Sequence, residues 1–184
     1  MLRSNKELWW AFFVGILITA VYGGVYLSTR KIPAAGEFFG HTIGIFGFIL
    51  MLMTEVLYSL RKRTRSASWG RMSSWLQFHI FTGLVGPYMV LLHTSWKFNG
   101  LAGATTLLTI TIVFSGIIGR YIFTRIPRTI DGLEIEGTLS EAALRQARQF
   151  MALWHAIHIP IGMALFVSAF VHIGGAIYYA TLLK

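Results

Sequence analysis

The chain has 184 residues, 55% of them hydrophobic and only 12% charged, with a net charge of +9 and no cysteine. Its mean hydropathy of +0.62 excludes an ordinary soluble domain and indicates a membrane protein. The lack of cysteine excludes disulfides, thiolate metal sites, Cys-ligated iron–sulfur clusters and C-x-x-C-H attachment of a c-type haem. The basic residues gather between apolar runs, where membrane topology accounts for them without nucleic-acid binding.

After Met1 to Glu7, an uncharged run from Leu8 to Thr29 has Trp9 and Trp10 at one end and Tyr22 and Tyr26 towards the other. Aromatic residues at both ends suit the two membrane interfaces. The run exceeds a normal signal-peptide core and no A-x-A site closes it, so a retained anchor helix is expected over about 8–29. Pro33 and Gly36 break the connection from Arg30 to Gly40.

The second run, His41 to Leu60, is apolar apart from Glu55 and is followed by Arg61, Lys62, Arg63, Arg65 and Arg71. The third, Met72 to Trp96, carries His79 and His93, and a turn around Lys97, Asn99 and Gly100 leads into the fourth, Leu101 to Gly119, which stops at Arg120. The next loop holds Arg125, Arg128, Asp131, Glu134 and Glu136. Thr138 with Glu141 fits a capping box, and Leu139, Ala143, Leu144 and Ala147 predict a short amphipathic helix on the membrane surface, either a solvated connector or a docking face. The last run, Gln149 to Leu183, carries His155, His158 and His172 and is too long to span without tilting or projecting. Five spans place the termini on opposite sides. Arginine-rich loops after spans two and four put the N-terminus inside and the C-terminus outside, against which Arg30 and Lys31 count weakly.

His79 and His93 are fourteen residues apart, as are His158 and His172. On a helix that spacing covers about 21 Å and returns each pair to nearly one face. Spans three and five run the same way in this topology, which brings His79 level with His158 near the inside and His93 level with His172 near the outside. A single histidine in a span can be a hydrogen-bonded packing residue, but four at matched depths and faces point to a shared task. Zinc prefers four clustered ligands, whereas these form two separated pairs. Two axial imidazoles per iron is a haem arrangement, and without C-x-x-C-H the haem is b-type. Gly83 and Gly86 follow His79 on its face, with Gly44 and Gly47 on span two and Gly116 and Gly119 on span four. These glycines make room either for a porphyrin or for close helix packing. Arg71 and Arg120 are candidates for haem propionates, although topology alone also places them there. Pro87 and Pro160 are expected to bend their helices.

The H-x13-H spans, their glycines and the stretches SGIIGRYIFTRIPR and WHAIHIP resemble di-haem membrane cytochromes b, including the ferric-reductase-like transmembrane domain. The resemblance covers about Gly40 to Tyr179. It implies transmembrane electron transfer through two non-covalent, bis-histidine haems b, with His79, His93, His158 and His172 as axial ligands. No flavin or nicotinamide domain follows the last span, so the expectation is an electron-transfer subunit of an oxidoreductase complex rather than a complete enzyme. Its expected partners are membrane lipid, other redox subunits and quinone, and its expected place is the bacterial cytoplasmic membrane. His155 sits about 60° around the helix from His158 and is read as a propionate or partner contact, with a ligand swap as the alternative. His41 is an interfacial residue or a quinone or propionate contact. Glu55 is a snorkelling carboxylate or a proton relay. The fold expected is all-α and integral to the membrane, a single transmembrane domain over 1–184 with a four-helix haem-binding bundle over about 40–180. The competing reading is a non-redox membrane scaffold or proton-conducting subunit that uses the same histidines and Glu55 as polar glue.

Overall fold

In a computed structural model that describes residues 5–63, 70–125 and 141–182, the chain forms five helices and, among the described residues, no strand. They are α1 (Lys6–Thr29), α2 (Phe38–Arg63), α3 (Met72–His93), α4 (Gly100–Arg125) and α5 (Glu141–Leu182). All five are long and apolar enough to cross a membrane. Large apolar side chains stand exposed along α1, α2, α4 and α5, among them Phe12, Phe46, Phe114 and Val167. Surface of that kind and extent is solvated by lipid chains rather than by water. The chain divides into two compact units, one built from α1 to α3 and one from α4 and α5.

In the first unit α3 is the central helix, packing against both α2 and α1. Among the described residues it carries none of the exposed large apolar side chains. Its crossing with α2 is set by two glycines. A Cβ at Gly47 would lie 2.9 Å from the Gly86 carbonyl oxygen, and one at Gly86 would lie 2.9 Å from that of Gly47. Absent side chains let the two backbones meet, which is how membrane helices associate when no hydrophobic force drives them together. Deeper along the same interface the buried Thr54 and Thr82 hydroxyls lie 2.7 Å apart, with Thr54 donating. The join between α1 and α3 has a hydroxyl pair of its own, Thr19 with Tyr88 at 2.6 Å.

The helix ends follow local chemistry. α1 closes on Arg30, whose left-handed φ of 56° lets its N–H reach the Tyr26 carbonyl. Arg61, Lys62 and Arg63 fill the last turn of α2, where cations complement the helix dipole. α3 ends at His93 rather than continuing to Trp96, because Ser95 and Trp96 take φ values of 51° and 63°. The Ser95 hydroxyl then donates to the Pro33 carbonyl and ties this turn to the α1–α2 connection.

In the second unit α4 and α5 run antiparallel. Thr105 meets Ser168, Ile112 meets Gly162, Ser115 meets His158, and Gly119 meets Trp154. The expected separate amphipathic helix is corrected: α5 is continuous from Glu141 to Leu182, 42 residues or roughly 63 Å. No glycine or proline separates Glu141 from Phe150, so the backbone has no reason to stop where the charges do. The cap expected at Thr138 lies outside the described residues. By the register with α4, about two turns at the start of α5 extend past Arg125. α3 and α5 remain helical through Pro87 and Pro160.

Candidate cofactor-ligating histidines

The first unit holds His79 and His93, one near each end of α3, and both are partly buried against α2. His79 Nδ1 donates to the Thr54 carbonyl oxygen at 3.1 Å, and His93 Nδ1 donates to the Gly40 carbonyl oxygen at 2.8 Å. The acceptors, like the histidines, are fourteen residues apart, so two antiparallel helices repeat one contact at both ends of their interface. A carbonyl can only accept a hydrogen bond. It therefore fixes the proton of each neutral ring on Nδ1 and leaves Nε2 with its lone pair.

Each ring is also held from the side. The Tyr58 ring lies 4.7 Å from that of His79. His93 lies across Gly44, where a Cβ would come within 2.7 Å of the ring Cγ and Nδ1. Gly44 is thus a seat for a ligand candidate, and Gly86 a contact of the α2–α3 crossing. Gly83 is less crowded, its missing Cβ 3.5 Å from Thr54 Cγ2. Arg71 is the exposed N-cap residue of α3. His41 is exposed on the first turn of α2 with its ring 6.2 Å from that of His93. Glu55 is exposed and accepts from the Ser59 hydroxyl at 3.4 Å.

The second unit holds His155, His158 and His172 on α5. His158 Nδ1 lies 3.0 Å from Ser115 Oγ on α4. Trp154 stacks on the His158 ring at 4.6 Å and 29°, and its indole N–H donates to the Ser115 carbonyl at 2.7 Å. The indole occupies the space over Gly119, where any Cβ would collide with it, while Gly116 passes beneath His158 with its missing Cβ 3.8 Å from Cε1. Arg120 follows Gly119 on α4 and is half-buried. His155 turns back onto its own helix, donating from Nδ1 to the Met151 carbonyl at 2.9 Å. His158 and not His155 therefore reaches the neighbouring helix. Among the described residues His172 makes no hydrogen bond.

Ser115, Trp154, Thr54, Tyr58 and Gly40 carry this arrangement but were not singled out from the sequence. A serine inside the otherwise apolar stretch from Ile112 to Ile118 and a tryptophan four residues before His158 were the available signals for two of them. The acceptor role of Gly40 and Thr54 belongs to the backbone and has no letter in the sequence.

An axial imidazole needs a bare Nε2, a proton on Nδ1 and a held orientation, which the hydrogen bond from Nδ1 normally supplies. The hydrogen bonds put the proton on Nδ1 in His79, His93 and His155, and in His158 when Ser115 accepts. Among the described residues no group of three or more histidine or carboxylate side chains is placed to hold a metal ion, an arrangement that a bis-imidazole haem does not require. No family model, curated protein or solved structure matches the chain.

Proposed function

We propose that this chain is a di-haem b-type electron-transfer subunit of a membrane oxidoreductase complex, exchanging electrons with a redox partner subunit and with quinone. The observation that carries this reading is the repeated contact on α3: two histidines fourteen residues apart, each held through Nδ1 by a backbone carbonyl of α2. Packing alone does not require both rings to be fixed in the same tautomer at the same interval. The ligands assigned to the haems are His79, His93, His158 and His172.

Bound haem would supply reversible one-electron chemistry at iron. The protein's part is positional. The Thr54 and Gly40 carbonyls orient the α3 rings and raise their basicity, Tyr58 and Trp154 shield the flanks of His79 and His158, and Gly116 leaves room beneath His158. Arg71, eight residues before His79, and Arg120, next to the Gly119 that lies against Trp154, are assigned to propionates. The apolar outer faces of the helices exclude water and contact lipid.

The test is a reduced-minus-oxidised spectrum and a pyridine haemochrome assay on protein purified in mild detergent. Two b haems per chain are expected, with each of His79→Ala, His93→Ala, His158→Ala and His172→Ala removing or converting one of them. A preparation with no b-type spectrum after haem-replete expression would sink the proposal.

A second reading, a non-redox scaffold, is favoured by the hydroxyl pairs Thr54–Thr82 and Thr105–Ser168, which show polar groups bridging helices in both units. It predicts that histidine substitutions change stability and leave no spectroscopic trace.

A further inference from the structure

Between α1 and α3 the packing leaves a groove of about 440 Å³, whose walls include Ala11, Phe12, Gly15 and Thr19 on α1 and Val85 and Tyr88 on α3. That volume lies in the range of small-molecule sites, which are mostly apolar with a few polar groups that fix orientation. Here the polar group is the Thr19–Tyr88 hydroxyl pair. Thr19 Oγ1 gives its one proton to the Gly15 carbonyl at 2.7 Å, so in the 2.6 Å contact the Tyr88 phenol is the donor. A hydroxyl has one proton and two lone pairs, so the pair has used both its protons and offers the groove acceptors only. Thr19 stands thirteen residues from Lys6 and ten from Thr29, about 20 and 15 Å along the axis. It is therefore close to the middle of a hydrocarbon layer about 30 Å thick, where no water supplies a donor.

An acyl chain fits the apolar walls but leaves those lone pairs unused. Phospholipids keep their hydrogen-bonding groups at the interface, out of reach of Thr19. A phenol with an apolar tail has no charge to hold it there and can bring an O–H donor to this depth. We propose that the α1–α3 groove binds a lipophilic hydroquinone whose O–H donates to the Tyr88 oxygen, and that it holds the oxidised quinone, which has acceptors only, less tightly. Gly15 keeps the groove open, since no atom lies within 4 Å of the position its Cβ would take. The hydroquinone is the reduced form of the quinone in the proposed function. The inference rests on that reading for the ligand's role in the membrane, and not for its binding, which needs no haem.

The experiment equilibrates n-decylhydroquinone, its quinone and its dimethyl ether, without oxygen, between buffer and nanodiscs that hold the full-length chain or none, and measures the saturable excess in the loaded discs by chromatography. Wild type is expected to hold the hydroquinone roughly two- to tenfold more tightly than the quinone or the ether, the worth of one neutral hydrogen bond. Tyr88→Phe is expected to close most of that difference. Gly15→Leu puts a side chain into the open groove and is expected to abolish the saturable excess. Gly24→Leu, at another position of α1 with nothing within 4 Å, is expected to keep it, with circular dichroism showing both variants helical. Equal affinity for the three probes, undiminished binding in Gly15→Leu, an equal loss in Gly24→Leu, or no excess over empty discs overturns this inference, whatever the haem spectrum shows. A chain without b haem that binds the probes as expected removes the di-haem reading and leaves this site standing.

Discussion

At the scale of the residue, His93 shows how little room the arrangement leaves. Its ring lies across Gly44 and its Nδ1 reaches the Gly40 carbonyl. Gly44→Ala places a methyl group inside the ring's contact distance, so His93 must leave its acceptor or α2 must shift. The expected result is a helical protein destabilised by about 1–3 kcal/mol, the usual cost of overpacking, and, on the di-haem proposal, a haem stoichiometry that falls from two towards one. Wild-type stoichiometry would show that the ring does not need this seat. Thr54 separates side-chain from backbone roles. Thr54→Val removes the hydroxyl bonded to Thr82 but keeps the carbonyl that accepts from His79. A loss of roughly 0.6 kcal/mol, at most about 2, is expected from interhelical hydrogen bonds measured in membranes, and the di-haem proposal expects both haems to be retained. A lost haem spectrum would move the function of Thr54 to its side chain.

At the scale of the element, the α2–α3 hairpin depends on the mutual approach of Gly47 and Gly86. Gly86→Val forces the backbones apart and is expected to weaken both carbonyl contacts together, since Thr54 and Gly40 move with α2. The check is unfolding in mixed detergent followed by circular dichroism alongside the haem spectrum. Loss of one ligand contact with the other intact would show that α2 does not move as a rigid body. All five helices were visible in the sequence as apolar runs, because a span must be apolar over its whole length. Their ends were less visible. The run to Trp96 gave no sign of the left-handed residues that stop α3 at His93. The last apolar run reads as starting at Gln149, after a separate surface helix, yet charge does not interrupt a helix and α5 runs unbroken from Glu141. The spacing of the histidines could be read directly, whereas their acceptors could not, since a carbonyl is present at every residue and only the packed register selects one.

At the scale of the whole molecule, five helices able to cross a membrane make topology the first property to verify, and the absence of cysteine makes it convenient. Lys62→Cys, at the end of α2, and Lys97→Cys, after α3, should lie on opposite sides of the bilayer. An impermeant maleimide applied to right-side-out vesicles is expected to label position 97 and to label position 62 only after permeabilisation. Labelling of both from one side would mean that α3 does not span. The two units also differ in what a point mutation can reach. The groups that orient His79 and His93 belong to the backbone, so a substitution at Thr54 replaces everything about that residue except the atom that matters. The group that orients His158 is a side chain, open to deletion or exchange through a single codon. On the di-haem proposal, adjustment of redox behaviour by small evolutionary steps would therefore fall on the α4–α5 unit, while the α2–α3 unit would change only by re-engineering a helix crossing.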